Sequence, residues 1–346
     1  MKFHINLQLF ANEVQTTLLS GLTPEMKTYY DMNLIDEASA NLVHDQFGQK
    51  RDIPKNGGKT IEFRKFAPLA KATTALTEGV TPDGKSLKVT KQEATVSQYG
   101  DYITQSDVLE LTALDNTILE ATKLLGRQAG LTMDTVVRNV INAGTNVSYC
   151  PKVSGSTETA VTSRAGLDTT AKLTVKAIQK AVTKLKGQNA PKINGDYVAI
   201  IHPNVAYDLM RDPEWIDAHK YTTSENLYTG EIGKIAGVRF VESTEAKIWN
   251  DSTCPVKTAA ASGNPAVYHS VYSTLVFGAD AYGTTSIEGG GLETIVKQKG
   301  SAGTADPLDQ RSSVGWKGIK TAEILIQNYL VRIESCSADW DGVAAN

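Results

Sequence analysis

Three patterns along the chain predict an α+β fold. The first is one long amphipathic stretch, residues 115–143. Within it Ile118, Thr122, Leu125, Ala129, Met133, Val136 and Val140 recur every three or four positions. The second is a pair of alternating segments, 59–66 and 87–102, separated by a polar stretch holding Gly79, Pro82, Asp83 and Gly84. The third is a strand, turn and helix in sequence at 196–210, where an apolar run ends at His202–Pro203 and a short helical pattern follows.

Composition bounds what such a fold can be. A chain of 346 residues accommodates two or three domains, and its 41% hydrophobic content supports a large core and excludes global disorder. The net charge is -3 and no long basic run occurs. That argues against tight wrapping of nucleic acid, which needs many phosphate-neutralising cations, but not against standing near it. Cys150, Cys254 and Cys336 are few, odd in number and far apart in sequence, without metal-site spacing, so they read as buried or incidental thiols in a reducing compartment. Apolar runs such as 197–201 are too short to span a bilayer. Asn6 and Gln8 interrupt the start, and no signal-peptide core follows.

In chain order, residues 1–58 read as an N-terminal arm. Asn6, Asn12, Thr16 and Thr17 suit irregular chain; Thr23 then caps a helix with Pro24 at its first position and Met26, Tyr29, Tyr30, Leu34, Ile35, Ala38 and Leu42 on its apolar side. This segment has no core of its own and must lie on its own subunit or on a neighbour. Residues 59–104 read as a long hairpin. Ile61 and Phe63 alternate with Glu62 and Arg64 on the way out, and Leu87, Val89, Val96, Gln98 and Tyr102 mark the return, which carries Lys85, Lys88 and Lys91. Two strands alone are barely stable in water, so the hairpin packs either on its own domain or over an adjacent subunit. The helix of 115–143 has Asp115 or Thr117 as its cap, capping-box spacing from Thr117 to Glu120, and Gly144 at its end. At 1.5 Å per residue it would reach about 42 Å. It is either an ordinary core helix or a spine bridging two subdomains.

Residues 147–170 are rich in Ser, Thr, Gly and Ala and read as a surface excursion with a short hairpin. Val175, Ile178, Val182 and Leu185 mark a second amphipathic helix, capped by Thr174 and stopped by Gly187. A buried strand at 196–201 and a short helix at 204–210 follow. At 230–243, Gly233–Lys234 invites a phosphate-loop reading. It fails, because Ile235 stands where Ser or Thr should hold magnesium and Tyr228 stands where the upstream Gly should be. The stretch reads instead as a turn between strands, with Val238, Phe240 and Val241 entering a sheet. A small-residue loop at 252–265, a strand region at 267–277, a turn at 278–283 and an apolar strand-like run at 324–333 complete the chain.

No catalytic, cofactor or metal residues are assigned. His4, His44, His202, His219 and His269 are the imidazoles, and neither a Gly-x-Ser-x-Gly elbow nor a His-Glu-x-x-His pair is present. His202, before Pro203, reads as a strand-end hydrogen-bonding residue. A soluble hydrolase is therefore the weakest reading.

Four stretches resemble the major capsid proteins of tailed bacteriophages, in the N4-like coat protein subgroup: Asn6–Leu7–Gln8–Leu9–Phe10–Ala11; the glycine-punctuated 230–243; 274–282, ending Gly278–Ala279–Asp280–Ala281–Tyr282; and 303–317, with Asp306–Pro307–Leu308–Asp309–Gln310 and Gly315–Trp316–Lys317. Their order spans nearly the whole chain. The resemblance implies the Hong Kong 97-type fold: an N-terminal arm (1–58), an extended loop hairpin (59–104), a peripheral domain (105–194) with the spine helix 115–143, an axial domain (195–313), and a C-terminal return to the peripheral domain (314–346). It further implies a structural virion protein, not an enzyme. Copies would assemble as pentamers and hexamers into the icosahedral shell around a double-stranded DNA genome, in the bacterial host cytoplasm. No long scaffolding segment precedes the arm, so a separate scaffolding protein is expected, with a portal and a decoration protein as further partners. Packaged DNA would lie near the inner face without tight sequence-specific binding, and no membrane is involved. The alternative of the same fold is an encapsulin-like cellular nanocompartment shell.

Overall fold

The computed structural model describes residues 34, 42–66, 69–81, 83–112, 117–155, 157–219, 233–259, 266–288, 290–301 and 306–346. Most of the expected arm, including the helix read from Thr23 apart from Leu34 and Leu42, lies outside the described residues, as do Asp115 and the upstream part of 230–243. The chain divides into two compact units. The described part of unit 1 falls within Met1–Ala40, Tyr99–Gly130 and Leu292–Gly318, and that of unit 2 within Asn41–Gln98, Leu131–Gly291 and Ile319–Asn346. Three of the divisions fall inside regular elements, one helix (Thr117–Asn142) and two strands (Ser97–Ser106 and Arg311–Ile324).

Unit 2 is built on a seven-stranded mixed sheet. Its path runs β5 (Val147–Tyr149), β18 (Leu330–Cys336), β14 (Val271–Phe277), β8 (Tyr197–Ile201), β10 (Val238–Glu242) and β9 (Lys234–Ile235), with β11 (Ile248–Trp249) also on β14. β14 is antiparallel to both β18 and β8, whereas β8 and β10 run parallel. All residues of β8 and β14 are buried, because this sheet is covered on both faces. On one face Tyr197, Ala199 and Ile201 meet Ile178, Val182 and Leu185 of α3 (Val175–Gly187). On the other, Val198, Ile200, Leu275 and Phe277 meet Val137 and Ile141 of α2 (Thr117–Asn142). Alternate residues of one strand thus feed two cores, each Val, Leu or Ile contributing about 1.5–3 kcal/mol when fully buried.

Local chemistry places the elements. The Thr174 side chain accepts from the Ala177 backbone N–H and opens α3. The left-handed residue past its end is Asn189, with φ 53°, and Gly187 stays helical. His202 caps α4 (Pro203–Met210) by accepting from the Asn204 N–H, in keeping with the strand-end role expected of it. β9 and β10 are joined by Ala236 and Gly237, both with positive φ (54° and 77°), the signature of a two-residue type I′ hairpin turn. This is the turn between strands expected there.

Three expectations need correction. The return run 87–102 is two strands, not one: β3 (Val89–Thr95) pairs with β2 (Thr60–Phe66), and β4 (Ser97–Ser106) pairs with β17 (Arg311–Ile324). Ala94 and Val96, side by side where the two strands meet, are buried, while Leu87, Val89 and Tyr102 are exposed. The apolar run 324–333 is likewise split, since β17 ends at Ile324, a short 3-10 turn covers Gln327–Tyr329, and β18 begins at Leu330. In α2 the buried side is as expected through Leu125, Ala129 and Met133, but it then follows Val137 and Ile141 in place of Val136 and Val140. The reason is polar: Asp134, Arg138 and Asn142 are buried beside them, each with a partner that periodicity of apolar residues does not count.

In unit 1, β16 (Glu293–Lys297) pairs antiparallel with the first half of β17, Glu293 opposite Lys317 and Lys297 opposite Ser313. β4 lies so close to β17 that a Cβ on Gly100 would sit 2.6 Å from the Trp316 carbonyl oxygen, and one on Gly315 would sit 2.7 Å from the Tyr102 Cβ. The Trp316 indole N–H donates to Gln128 Oε1, and the Gln128 amide donates to Asp101, tying α2 to this sheet.

Candidate functional site

Most described residues of the β2–β3 hairpin are exposed. Its strands pair from Thr60–Thr95 to Phe66–Val89. On one face Phe63 is buried and Ile61 half-buried. The opposite face carries Glu62, Arg64, Lys91 and Glu93, where Lys91 bridges Glu62 at 3.3 Å and Glu93 at 2.6 Å. These exposed pairs contribute little to stability; they keep a solvated face soluble.

The base of the hairpin is anchored at two points. Phe63 packs over Gly283 so closely that a Cβ there would come within 2.9 Å of the ring, and the Arg51 guanidinium lies 5.7 Å from the ring centroid. Gln92 donates to Glu323 at 2.8 Å. A cleft of about 240 Å³ remains beside these contacts, lined by Arg51, Lys65, Thr90, Asp280, Leu325 and others. Beyond the base, every described residue from Leu69 to Glu93 is exposed, among them the large apolar Leu69, Leu76, Val80, Leu87 and Val89, with Leu76 at 77%. A hairpin that ends in unburied leucines and valines can cover another surface by withdrawing them from water; among the described residues of its own chain it does not.

Groups able to do acid–base or metal chemistry lie elsewhere and are engaged structurally. His44 and Asp134 are buried against each other at 2.6 Å. His269 meets Asp341 at 2.9 Å, and Lys257 meets the same oxygen at 2.7 Å. Burial pushes the Asp341 carboxyl up, but its bonds to Lys257, His269 and the Ser270 N–H outweigh that and hold it below its ordinary value. Burial pushes the His202 imidazole down. Cys150, Cys254 and Cys336 are free and buried in one core; burial raises the Cys150 thiol to about 12 and also raises the other two. Among the described residues no group of three or more His, Cys, Asp or Glu is placed to hold a metal, and no helix is long and apolar enough to cross a membrane. His4 and the side chain of His219 lie outside the described residues.

The sequence indicated the hairpin but missed its footing. Gly283 looked like the end of a turn, and nothing in the alternation of 282–285 marks it as the floor under Phe63.

Comparison with known proteins agrees with this architecture. A family profile described as "Phage capsid protein" matches residues 89–326, more than half of the chain. No curated protein sequence matches. Among solved structures, the capsid of Ralstonia phage GP4 is similar with a TM-score of 0.63, at 14% identity over 97% of this chain and 99% of that one. The capsid of cyanophage Pam1 aligns with a TM-score of 0.62, at 12% identity over the same shares. The capsid of cyanophage P-SCSP1u gives 0.61, at 17% identity over 86% of this chain and 89% of that one. At such identities the likeness speaks for the fold, which is the α+β Hong Kong 97 type. With most of its length inside the family match, the chain belongs to the phage capsid protein family and is a structural component of the virion shell.

Proposed function

We propose that copies of this chain associate as hexamers and pentamers into an icosahedral shell enclosing double-stranded DNA, with the hairpin as the appendage that reaches a neighbour. The observation that carries this reading is the run of exposed leucines and valines on the hairpin beyond its Phe63 anchor. Each such contact is modest, but a subunit joined to several neighbours gains avidity, so weak contacts suffice to close a shell. Contacts around the axes are head-to-tail, one surface of each copy meeting a different surface of the next.

The finer assignments rest on the resemblance. The chain falls in the N4-like subgroup; 105–194 forms the peripheral domain with a spine helix, 195–313 the axial domain, and 314–346 returns to the former. Its partners besides itself are a scaffolding protein, a portal and a decoration protein, and assembly takes place in the host cytoplasm. It has no catalytic role. The net charge of -3 suits an inner wall that does not grip DNA tightly. Deleting residues 67–87 tests the reading. The expected result is a folded subunit by circular dichroism that no longer forms closed shells by negative-stain microscopy, whereas normal shells would refute the role given to the hairpin.

A further inference from the structure

We propose that the exposed face of α3, with Lys192 just beyond its end, is the surface of this chain on which the phosphate backbone of double-stranded nucleic acid lies. This rests on the shell reading above, which supplies the nucleic acid, and adds the residues that meet it.

The charge on this stretch is of one sign. Between Asp168 and Asp196 the chain holds Lys172, Lys176, Lys180, Lys184, Lys186 and Lys192 and no Asp or Glu. α3 turns Val175, Ile178, Ala181, Val182 and Leu185 into the core. That fixes its other side, where Lys176, Gln179, Lys180, Thr183, Lys184 and Lys186 are all exposed. Lys176, Lys180 and Lys184 recur every fourth residue, about 6 Å apart along the helix axis.

Two of the six lysines are already engaged: Lys172 meets Asp208 at 2.9 Å, and Lys176 meets Glu158 at 2.7 Å. Lys180, Lys184, Lys186 and Lys192 have no ion-pair partner among the described residues, and Asp196, the next acid along the chain, is taken by Lys234 at 2.6 Å. Lysines in a last turn complement the carbonyl end of their helix, which gives Lys184 and Lys186 a structural use. Lys180 and Lys192 lie outside that turn. A face that served solubility alone would mix signs, as the hairpin does with Glu62, Arg64, Lys91 and Glu93.

The kind of anion follows from what the face lacks. A protein interface is built around a desolvated apolar centre. Such residues are displayed by α1 (Asp107–Thr112), where Val108, Leu109 and Leu111 are exposed. The exposed face of α3 offers only lysine stems, Gln179 and Thr183. An anionic membrane would need apolar side chains to insert, and those of α3 are buried in its own core. The phosphates of a duplex need only point charges, which ammonium groups supply without reading sequence. The net charge of -3 is an average over the chain, and this face departs from it. Four contacts per copy are weak alone, but a wall of many copies holds a duplex in place and still lets it slide.

Fluorescence anisotropy of a short labelled duplex, titrated with the full-length unassembled chain, tests the assignment. Binding is expected to be independent of sequence and to weaken about a hundredfold between roughly 50 and 200 mM salt, as four phosphate contacts require. Lys180→Gln/Lys184→Gln/Lys186→Gln keeps good helix formers and removes three charges. It should retain the native circular dichroism, bind at least about tenfold more weakly, and make the slope of log affinity against log salt shallower by about 2.7. The matched control on the hairpin, Lys71→Gln/Lys85→Gln/Lys88→Gln, removes the same charge and should leave affinity and slope unchanged.

Equal losses in the two triple variants would reduce the effect to overall charge and overturn the inference, as would an absence of binding at low salt. Polyglutamate competing better than a duplex of equal charge would give the face to an acidic protein and overturn it as well. If the triple variant on α3 loses its fold, Lys180→Gln alone carries the test: a slope shallower by about 0.9 supports the inference, and an unchanged slope overturns it. The shell reading is tested separately by the 67–87 deletion. Shells from the α3 variant are expected under negative stain, and shells together with unchanged duplex binding would overturn this inference alone.

Discussion

His44 and Asp134 are joined twice in the buried interior of unit 2: the His44 backbone N–H donates to one carboxylate oxygen at 2.7 Å, and its Nδ1 meets the other at 2.6 Å. A carboxylate only accepts, so Nδ1 carries the proton. The Tyr282 hydroxyl donates to the His44 carbonyl, and Lys320 and Lys50 hold the neighbouring Asp45 at 2.6 and 3.5 Å. Residues 42–47 are thereby fastened to the second half of α2 by polar bonds in a place where water cannot substitute.

The first prediction concerns this junction. Asp134→Ala strands two buried donors, and breaking a buried pair of this kind costs about 3–5 kcal/mol. Asp134→Asn keeps the shape and one acceptor and should cost less. Chemical denaturation of both variants checks the order, and equal stability of all three proteins would contradict it.

Gly278 and Gly187 should respond oppositely to alanine. A Cβ on Gly278 would sit 2.3 Å from the Pro191 carbonyl oxygen, which is backbone and cannot turn aside, so Gly278→Ala should be strongly destabilising. Gly187 lies inside the last turn of α3 with open space around it, so Gly187→Ala should stabilise by about 0.5–1 kcal/mol through helix propensity. Thermal melts of the two variants give the sign directly.

The C-terminal segment should detach in acid. Asp341 holds Lys257, His269 and the Ser270 N–H, and its carboxyl lies below its ordinary value. A carboxyl depressed in the folded state contributes stability that is complete above its unfolded value and lost as pH falls through the folded one. Hydrogen exchange at residues 337–346 should therefore rise in that acidic window, and Lys257→Ala should move the rise to higher pH. A pH-independent exchange pattern would count against it.

The three thiols should be silent in the folded protein. Burial raises all three, Cys150 to about 12, so little thiolate forms near neutrality. A colorimetric thiol reagent should find none reactive in buffer and three in denaturant; a rapidly reacting thiol under native conditions would show that one of them is reachable.

The elements legible in the sequence are those whose signal is local. α3 is bounded by Thr174 and carries its apolar side in plain periodicity, β8 is a compact apolar run, and the β9–β10 turn announces itself through glycine. The hairpin, too, is visible as two alternating segments around a polar tip. By itself, then, the amino-acid order determined the α+β class, these local elements and, through four short stretches, the likeness to phage coat proteins.

Tertiary structure alone decided where polar residues go inside. Asp134, Arg138 and Asn142 look like the solvent side of α2, yet each is buried because its partner comes from far along the chain: His44, Glu245 and Ser273. It also decided where strands change partner, at Val96 and between Ile324 and Leu330, and that Gly283 is the floor beneath Phe63. A hydrogen bond across ninety or more residues leaves no periodic trace, since nothing in the spacing of one partner records the position of the other.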